Sequence, residues 1–192
     1  ISGSARYDIL FNEIKNTEEK YIILMSSALP STLLSYFLSN NVILEWEKML
    51  TSVFLALKEL NEEIIIKRHP TRNGEIIDFK VLANKFLPGA KIYKNKNTYK
   101  LLSKSKLVVS MMSSTITEAI ILNKPVVMPR HFNHDLGPPF AETNAVLTID
   151  KPEDALTVIK KALYDDKVKA ELKIGRERFL KENFEYRGNS TE

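Results

Sequence analysis

The sequence predicts an α/β protein: a doubly wound, mostly parallel sheet of about six strands with helices between them. Three observations carry that expectation. Short apolar, β-rich runs alternate with helical stretches along the chain. The segment from Lys106 to Pro129 reads as a buried strand, a hydroxyl-rich turn, a short helix and a second buried strand. The chain has 192 residues, 44% of them hydrophobic, enough for one large domain and its core.

The elements follow in order. Residues 5–17 read as a linker and short helix carrying Ile9, Leu10, Phe11 and Ile14. Tyr21 to Met25 is an apolar strand, ended by Ser26 and Ser27, and residues 28–40 read as a loop with a helical turn. From Val42 to Leu60, apolar Ile43, Trp46, Leu50, Val53, Phe54, Leu57 and Leu60 recur mostly at three and four, which marks an amphipathic helix. Glu63 to Lys67 is a strand, and Arg68 to Gly74 a loop punctuated by Pro70 and Gly74. Residues 75–86 form a helix closed by Pro88-Gly89; Lys91 to Tyr93 is a strand and Thr98 to Ser103 a short helix. Leu107 to Ser110 is a buried strand, Thr115 to Leu122 a helix and Val126 to Met128 the next strand. A long loop, Pro129 to Thr143, leads to a strand from Ala145 to Ile149. Asp150 is placed to cap a helix with Pro152 in its first turn, running to about Tyr164. A charged helix from about Lys167 to Glu182 completes the pattern.

Composition narrows the chemistry. Net charge is +4 and the charges are interspersed, with no basic block, so no nucleic-acid partner is expected. With no cysteine, there is no disulfide framework, thiolate metal site or cysteine nucleophile. No apolar run approaches the ~20 residues of a membrane-spanning helix. Gly-x-Gly-x-x-Gly, the Walker lysine motif and Gly-x-Ser-x-Gly are all missing, which removes the main support for NAD, ATP-hydrolase and α/β-hydrolase readings. His131, His134 and Asp135 lie in a loop at a spacing that matches no compact metal motif, so neither a metal site nor another cofactor is expected.

Right-handed crossovers place the strand-to-helix loops on one edge of the sheet, where ligands bind near the switch point. Three loops stand out there: Ser26–Pro30, Arg68–Gly74 and Ser110–Thr115. The turn Ser113-Ser114-Thr115 falls at a helix N-terminus, where free N–H groups and the helix dipole favour an anion. Glu118 offers two acceptor oxygens suited to a ribose diol. Thr115 with Glu118 also matches a capping box, which explains both residues without a ligand. Arg68 and His69 follow a strand on the same edge, as phosphate contacts or as solvated cations beside a proline stop. Gly3 and Ser4 form a small-residue turn, either a glycine loop against a phosphate or a plain linker.

These segments together resemble a known family. Ile1-Ser2-Gly3-Ser4-Ala5-Arg6-Tyr7-Asp8, Lys67-Arg68-His69-Pro70, Ser113-Ser114-Thr115-Ile116-Thr117-Glu118-Ala119 and Lys124-Pro125-Val126-Val127 are similar to the C-terminal half of GT-B glycosyltransferases. The resemblance is nearest to the capsule and teichoic-acid branch, with its CDP-glycerol glycerophosphotransferase-like and polysialyltransferase-like members. A more distant similarity runs to the non-hydrolysing UDP-N-acetylglucosamine 2-epimerases. The resemblance implies a Rossmann-like domain that is one half of a GT-B fold and holds the nucleotide of a UDP-, CDP- or CMP-linked donor. It implies that Ser113, Ser114 and Thr115 contact donor phosphate, that Glu118 holds the ribose, and that Arg68 and His69 face the phosphates. Gly3 and Ser4 would lie where the interdomain linker enters the cleft. His69 is the candidate catalytic group, although the family often draws its base from the other half. Two departures stand out: Met112-Ser113-Ser114 replaces the Ser-Gly-Gly turn of the epimerases, and Glu118 stands where teichoic-type transferases often carry Asp.

The family further implies a missing N-terminal GT-B domain, a glycan or lipid-linked acceptor, and a cytoplasmic protein peripheral to the inner face of the membrane. The chain starts at Ile1 and ends in the polar stretch Tyr186 to Glu192, so a domain cut from a longer protein is expected. The expected divisions are a linker and leading helix over 1–20, a nucleotide-binding domain over 21–182 and a truncated tail over 183–192.

Overall fold

Six strands form one sheet: β1 (Tyr21–Met25), β2 (Ile64–Lys67), β3 (Lys91–Tyr93), β4 (Ser105–Ser110), β5 (Val126–Pro129) and β6 (Leu147–Ile149). Their order across the sheet is β3-β2-β1-β4-β5-β6, and every pairing is parallel. This is the doubly wound, Rossmann-like order, with the chain reversing its direction of travel between β1 and β4. The computed structural model describes residues 5–12, 18–26, 40–70, 78–111, 113–130 and 140–184. Within these, the helices are α1 (Ala5–Asn12), α2 (Asn40–Lys58), α3 (Phe79–Phe86), α4 (Thr98–Ser103), α5 (Ser114–Ile121), α6 (Ala155–Tyr164) and α7 (Asp166–Asn183). The predicted helical turn within 28–40 and the start of the 75–86 helix fall largely outside the described residues.

Strand side chains alternate between two apolar layers. Ile22, Leu24, Ile64, Ile66, Leu107, Val109 and Val127 point to one face, against Leu50, Val53, Phe54 and Leu57 of α2, Phe79 and Leu82 of α3, and Ile159 of α6. Ile23, Met25, Ile65, Val108, Val126 and Met128 point to the other, against Leu101 and Leu102 of α4 and Ile116, Ala119 and Ile120 of α5. Coverage of both faces is why the strands read as continuous apolar runs rather than polar–apolar alternations. Helix α1 joins the second layer through Leu10, while Tyr7 and Phe11 pack their rings against Phe184 at 5.6 and 5.8 Å. Helix α7 bridges the layers, giving Leu172 to the first and Phe179 and Leu180 to the second.

Two close contacts seat α7. A Cβ on Gly175 would lie 2.0 Å from the carbonyl oxygen of Asn144, so helix and turn touch backbone to backbone. Asn144 and Asn123 both adopt left-handed backbone (φ 56° and 55°), a conformation asparagine tolerates. Next to Gly175, the buried Arg176 donates from Nε (3.1 Å) and Nη2 (2.9 Å) to the Asn123 side-chain oxygen. Burial pushes the Arg176 pKa down to about 10, against the opposing pull of Glu177 and Glu19.

Local boundaries differ from the sequence expectation in two instructive places. Asp150 does not cap the helix that follows it. A 3-10 turn, Pro152–Asp154, intervenes before α6 begins at Ala155. The Asp150 carboxylate instead faces Arg130 (3.6 Å) and accepts from the Thr148 hydroxyl (3.4 Å). The charged C-terminal helix starts earlier than expected because Asp165 caps it, accepting from the N–H groups of Lys167 and Val168. No described helix is long and apolar enough to cross a membrane.

Candidate functional site

The C-terminal ends of β1, β2, β3 and β4 lie along one edge of the sheet, at the switch point between β1 and β4. A cleft of about 510 Å³ opens there. It is bordered by Met25 and Ser26 after β1, Lys67 to Pro70 after β2, Lys94 to Tyr99 after β3, and Ser113 to Thr115 with Glu118 after β4.

The backbone explains why these loops meet. Ser26 N–H donates to the Lys67 carbonyl (3.0 Å), and Arg68 N–H to that of Tyr93 (2.8 Å), so strand pairing continues into the loops. The buried Ser26 hydroxyl oxygen accepts the N–H of His69 at 2.7 Å, which fixes the first turn after β2. The Arg68 guanidinium reaches Asp78 at 3.7 Å while lining the cleft. Lys96 lies over the Tyr93 ring at 3.6 Å. Among the described lining residues Lys67, Arg68, Lys94 and Lys96 are cationic and Glu118 is the acid, a balance that attracts an anionic ligand.

On the opposite wall, Ser113 is the N-cap of α5. Its side-chain oxygen accepts from the Thr115 N–H (3.3 Å) and the Thr115 hydroxyl (2.8 Å). The helix therefore starts at Ser114, not Thr115, and the Thr115–Glu118 capping box does not form. Ile116 occupies the position from which a capping-box glutamate would reach back. Glu118 is 3% exposed and faces the cleft beyond the first turn. Replacing Ser113 with alanine removes the cap, at an expected cost of ~1 kcal/mol or about 2–4 °C in Tm, read by thermal unfolding.

Of the residues singled out in the sequence, Arg68, His69, Ser113, Ser114, Thr115 and Glu118 all border this one cleft. Gly3 and Ser4 lie outside the described residues, as do His131, His134 and Asp135. Among the described residues no cluster of histidine and carboxylate side chains could hold a metal ion. Sequence reasoning passes over the third wall, Lys94 to Asn97, and the buried Lys67. A polar Lys-Asn-Lys-Asn run directly after a predicted strand is the signal that marks the first of these.

No protein-family model matches the chain, and no curated protein matches it in sequence. Solved structures do match. S. aureus MnaA, in a co-structure with UDP, superposes with a TM-score of 0.57 at 14% identity, over 90% of this chain and 46% of that one. A UDP-N-acetylglucosamine 2-epimerase gives a TM-score of 0.60 at 14% identity, over 95% and 50%. WaaG, a glycosyltransferase involved in lipopolysaccharide biosynthesis, gives 0.56 at 16% identity, over 96% and 49%. The chain thus spans about half the length of each. What is shared is the fold: a Rossmann-like α/β unit of the kind found in GT-B glycosyltransferases and UDP-sugar epimerases.

Proposed function

We propose that this chain is the donor-nucleotide-binding domain of a GT-B-type glycosyltransferase. The full enzyme would transfer a sugar or polyol phosphate from a UDP-, CDP- or CMP-linked donor to a surface glycan or glycolipid acceptor. The observation that carries this reading is the joint placement of Arg68, His69, the capped N-terminus of α5 and Glu118 on one cleft at the switch point. The helix N-terminus and the cations suit a diphosphate, and the Glu118 carboxylate suits a ribose diol. An acceptor hydroxyl attacks the donor, and the same positive groups stabilise the departing nucleotide phosphate. His69 is the candidate catalytic group. The acceptor and an N-terminal GT-B domain complete the enzyme, peripheral to the inner face of the membrane, so this chain alone binds nucleotide without turnover.

The test is a calorimetric and thermal-shift panel of UDP, CDP, CMP, GDP and ADP against the 192-residue chain. Selective binding of one nucleotide supports the reading and names the base. Absence of binding at millimolar ligand to both this chain and the full-length protein overturns it, in favour of a non-catalytic interaction domain.

The epimerase-like fold neighbours favour a second reading, the donor half of a sugar-nucleotide 2-epimerase. Acceptor-independent conversion of a nucleotide-linked sugar to its C2 epimer by the full-length protein would decide for it. The Met112-Ser113-Ser114 turn weighs against it.

A further inference from the structure

Lys67 is the last residue of β2 and is only 4% exposed. It continues the alternation of Ile65 and pairs in register with Met25 and Tyr93, on the sheet face that carries α4 and α5. Burying an ammonium costs several kcal/mol unless hydrogen bonds repay it, so its partners define its role. Its Nζ donates to the carbonyl of Arg68 and to the carbonyl of Lys94, each at 2.9 Å. Those carbonyls open two different loops, one after β2 and one after β3. Both loops wall the cleft.

The register of β2 with β3 stops at Lys67 and Tyr93, followed by one more backbone hydrogen bond, from Arg68 N–H to the Tyr93 carbonyl. The Lys67 ammonium then spans the two departing loops, where a methionine of similar length would fill the space without tying either. We infer that Lys67 is a positioning residue that sets the distance of the Lys94–Asn97 wall from the Arg68–His69 turn, and with it the fit of a bound nucleotide. The second half of that statement rests on the nucleotide-binding reading above; the first does not.

The test compares the wild-type 192-residue chain with Lys67→Met and Lys67→Arg. Backbone amide hydrogen exchange is followed at Asn95–Thr98 and at Ile116–Ile121, and affinity is measured with UDP as the probe. In Lys67→Met, the Asn95–Thr98 amides are expected to exchange about tenfold faster, with the α5 amides unchanged. UDP affinity is expected to fall about tenfold, in line with the loss of charge-assisted hydrogen bonds. Lys67→Arg, which keeps donors at the site, recovers part of both. Unchanged exchange at Asn95–Thr98, or an equal rise across the chain, overturns the clamp. Faster loop exchange with UDP affinity intact overturns its role in ligand fit. A wild-type chain that binds no UDP counts against UDP as the nucleotide, while the exchange result still decides the clamp.

Discussion

Replacing Glu118 with glutamine is expected to weaken nucleotide binding about ten- to a hundredfold, which corresponds to about 1.4–2.8 kcal/mol. The substitution keeps the shape of the side chain and removes the charge. A carboxylate accepts from both hydroxyls of a ribose at charge-assisted strength, whereas an amide offers one neutral acceptor oxygen. Burial sharpens the effect, because Glu118 is 3% exposed and competes little with water for its partners. Isothermal calorimetry with the best nucleotide of the panel measures the loss, and thermal unfolding of the unliganded chain provides the control. A helix-capping role would give the reverse pattern, intact affinity with a loss of ~1 kcal/mol in stability. Ser113 caps α5 and Ile116 holds the capping-box position, so the cap of this helix is not made by Glu118.

Gly175→Ala is expected to destabilise the chain by about 3 kcal/mol, a fall of about 6–12 °C in Tm. Helix propensity alone predicts the opposite sign, a gain of ~1 kcal/mol, because alanine favours a helix interior over glycine. The added Cβ would meet the Asn144 oxygen at 2.0 Å, the Asn144 carbonyl carbon at 2.3 Å and the Thr143 oxygen at 2.8 Å. All three are backbone atoms, so no flexible side chain can swing away. Helix α7 must shift, and Leu172, Phe179 and Leu180 lose their seats in the two layers. A thermal melt that shows equal or higher Tm would mean that α7 does not rest against the 143–144 turn.

Much of this architecture is legible along the chain. Tyr21–Met25 and Val126–Pro129 are buried on both faces, and their unbroken apolar runs say so directly. The three-and-four spacing from Ile43 to Leu57 marks α2 because only one side of that helix meets the sheet. The Ser113–Glu118 and Arg68–His69 segments stand out because hydroxyls and cations directly after strands fall on the ligand edge of such a sheet.

Other features depend on neighbours that the local sequence does not name. Ser113, Ser114 and Thr115 are all good helix caps, and the choice among them follows from where β4 ends at Ser110. Asp150 and Asp154 both precede the α6 pattern, and Asp150 is diverted to Arg130 at the end of the adjacent strand. In the sequence Lys67 is only the polar end of a strand. It is buried because the carbonyls of Arg68 and Lys94 converge on it.

The sequence by itself thus determined the alternation of strands and helices, the two-sided burial of the sheet and the edge on which polar chemistry gathers. These follow from periodicity and from turn chemistry, which act over a few residues. Tertiary structure alone decided the β3-β2-β1-β4-β5-β6 order, the third wall of the cleft, the clamp at Lys67 and the seat of α7 on Asn144. Each of those joins residues far apart in the chain, and such contacts exist only once the strands between them have paired.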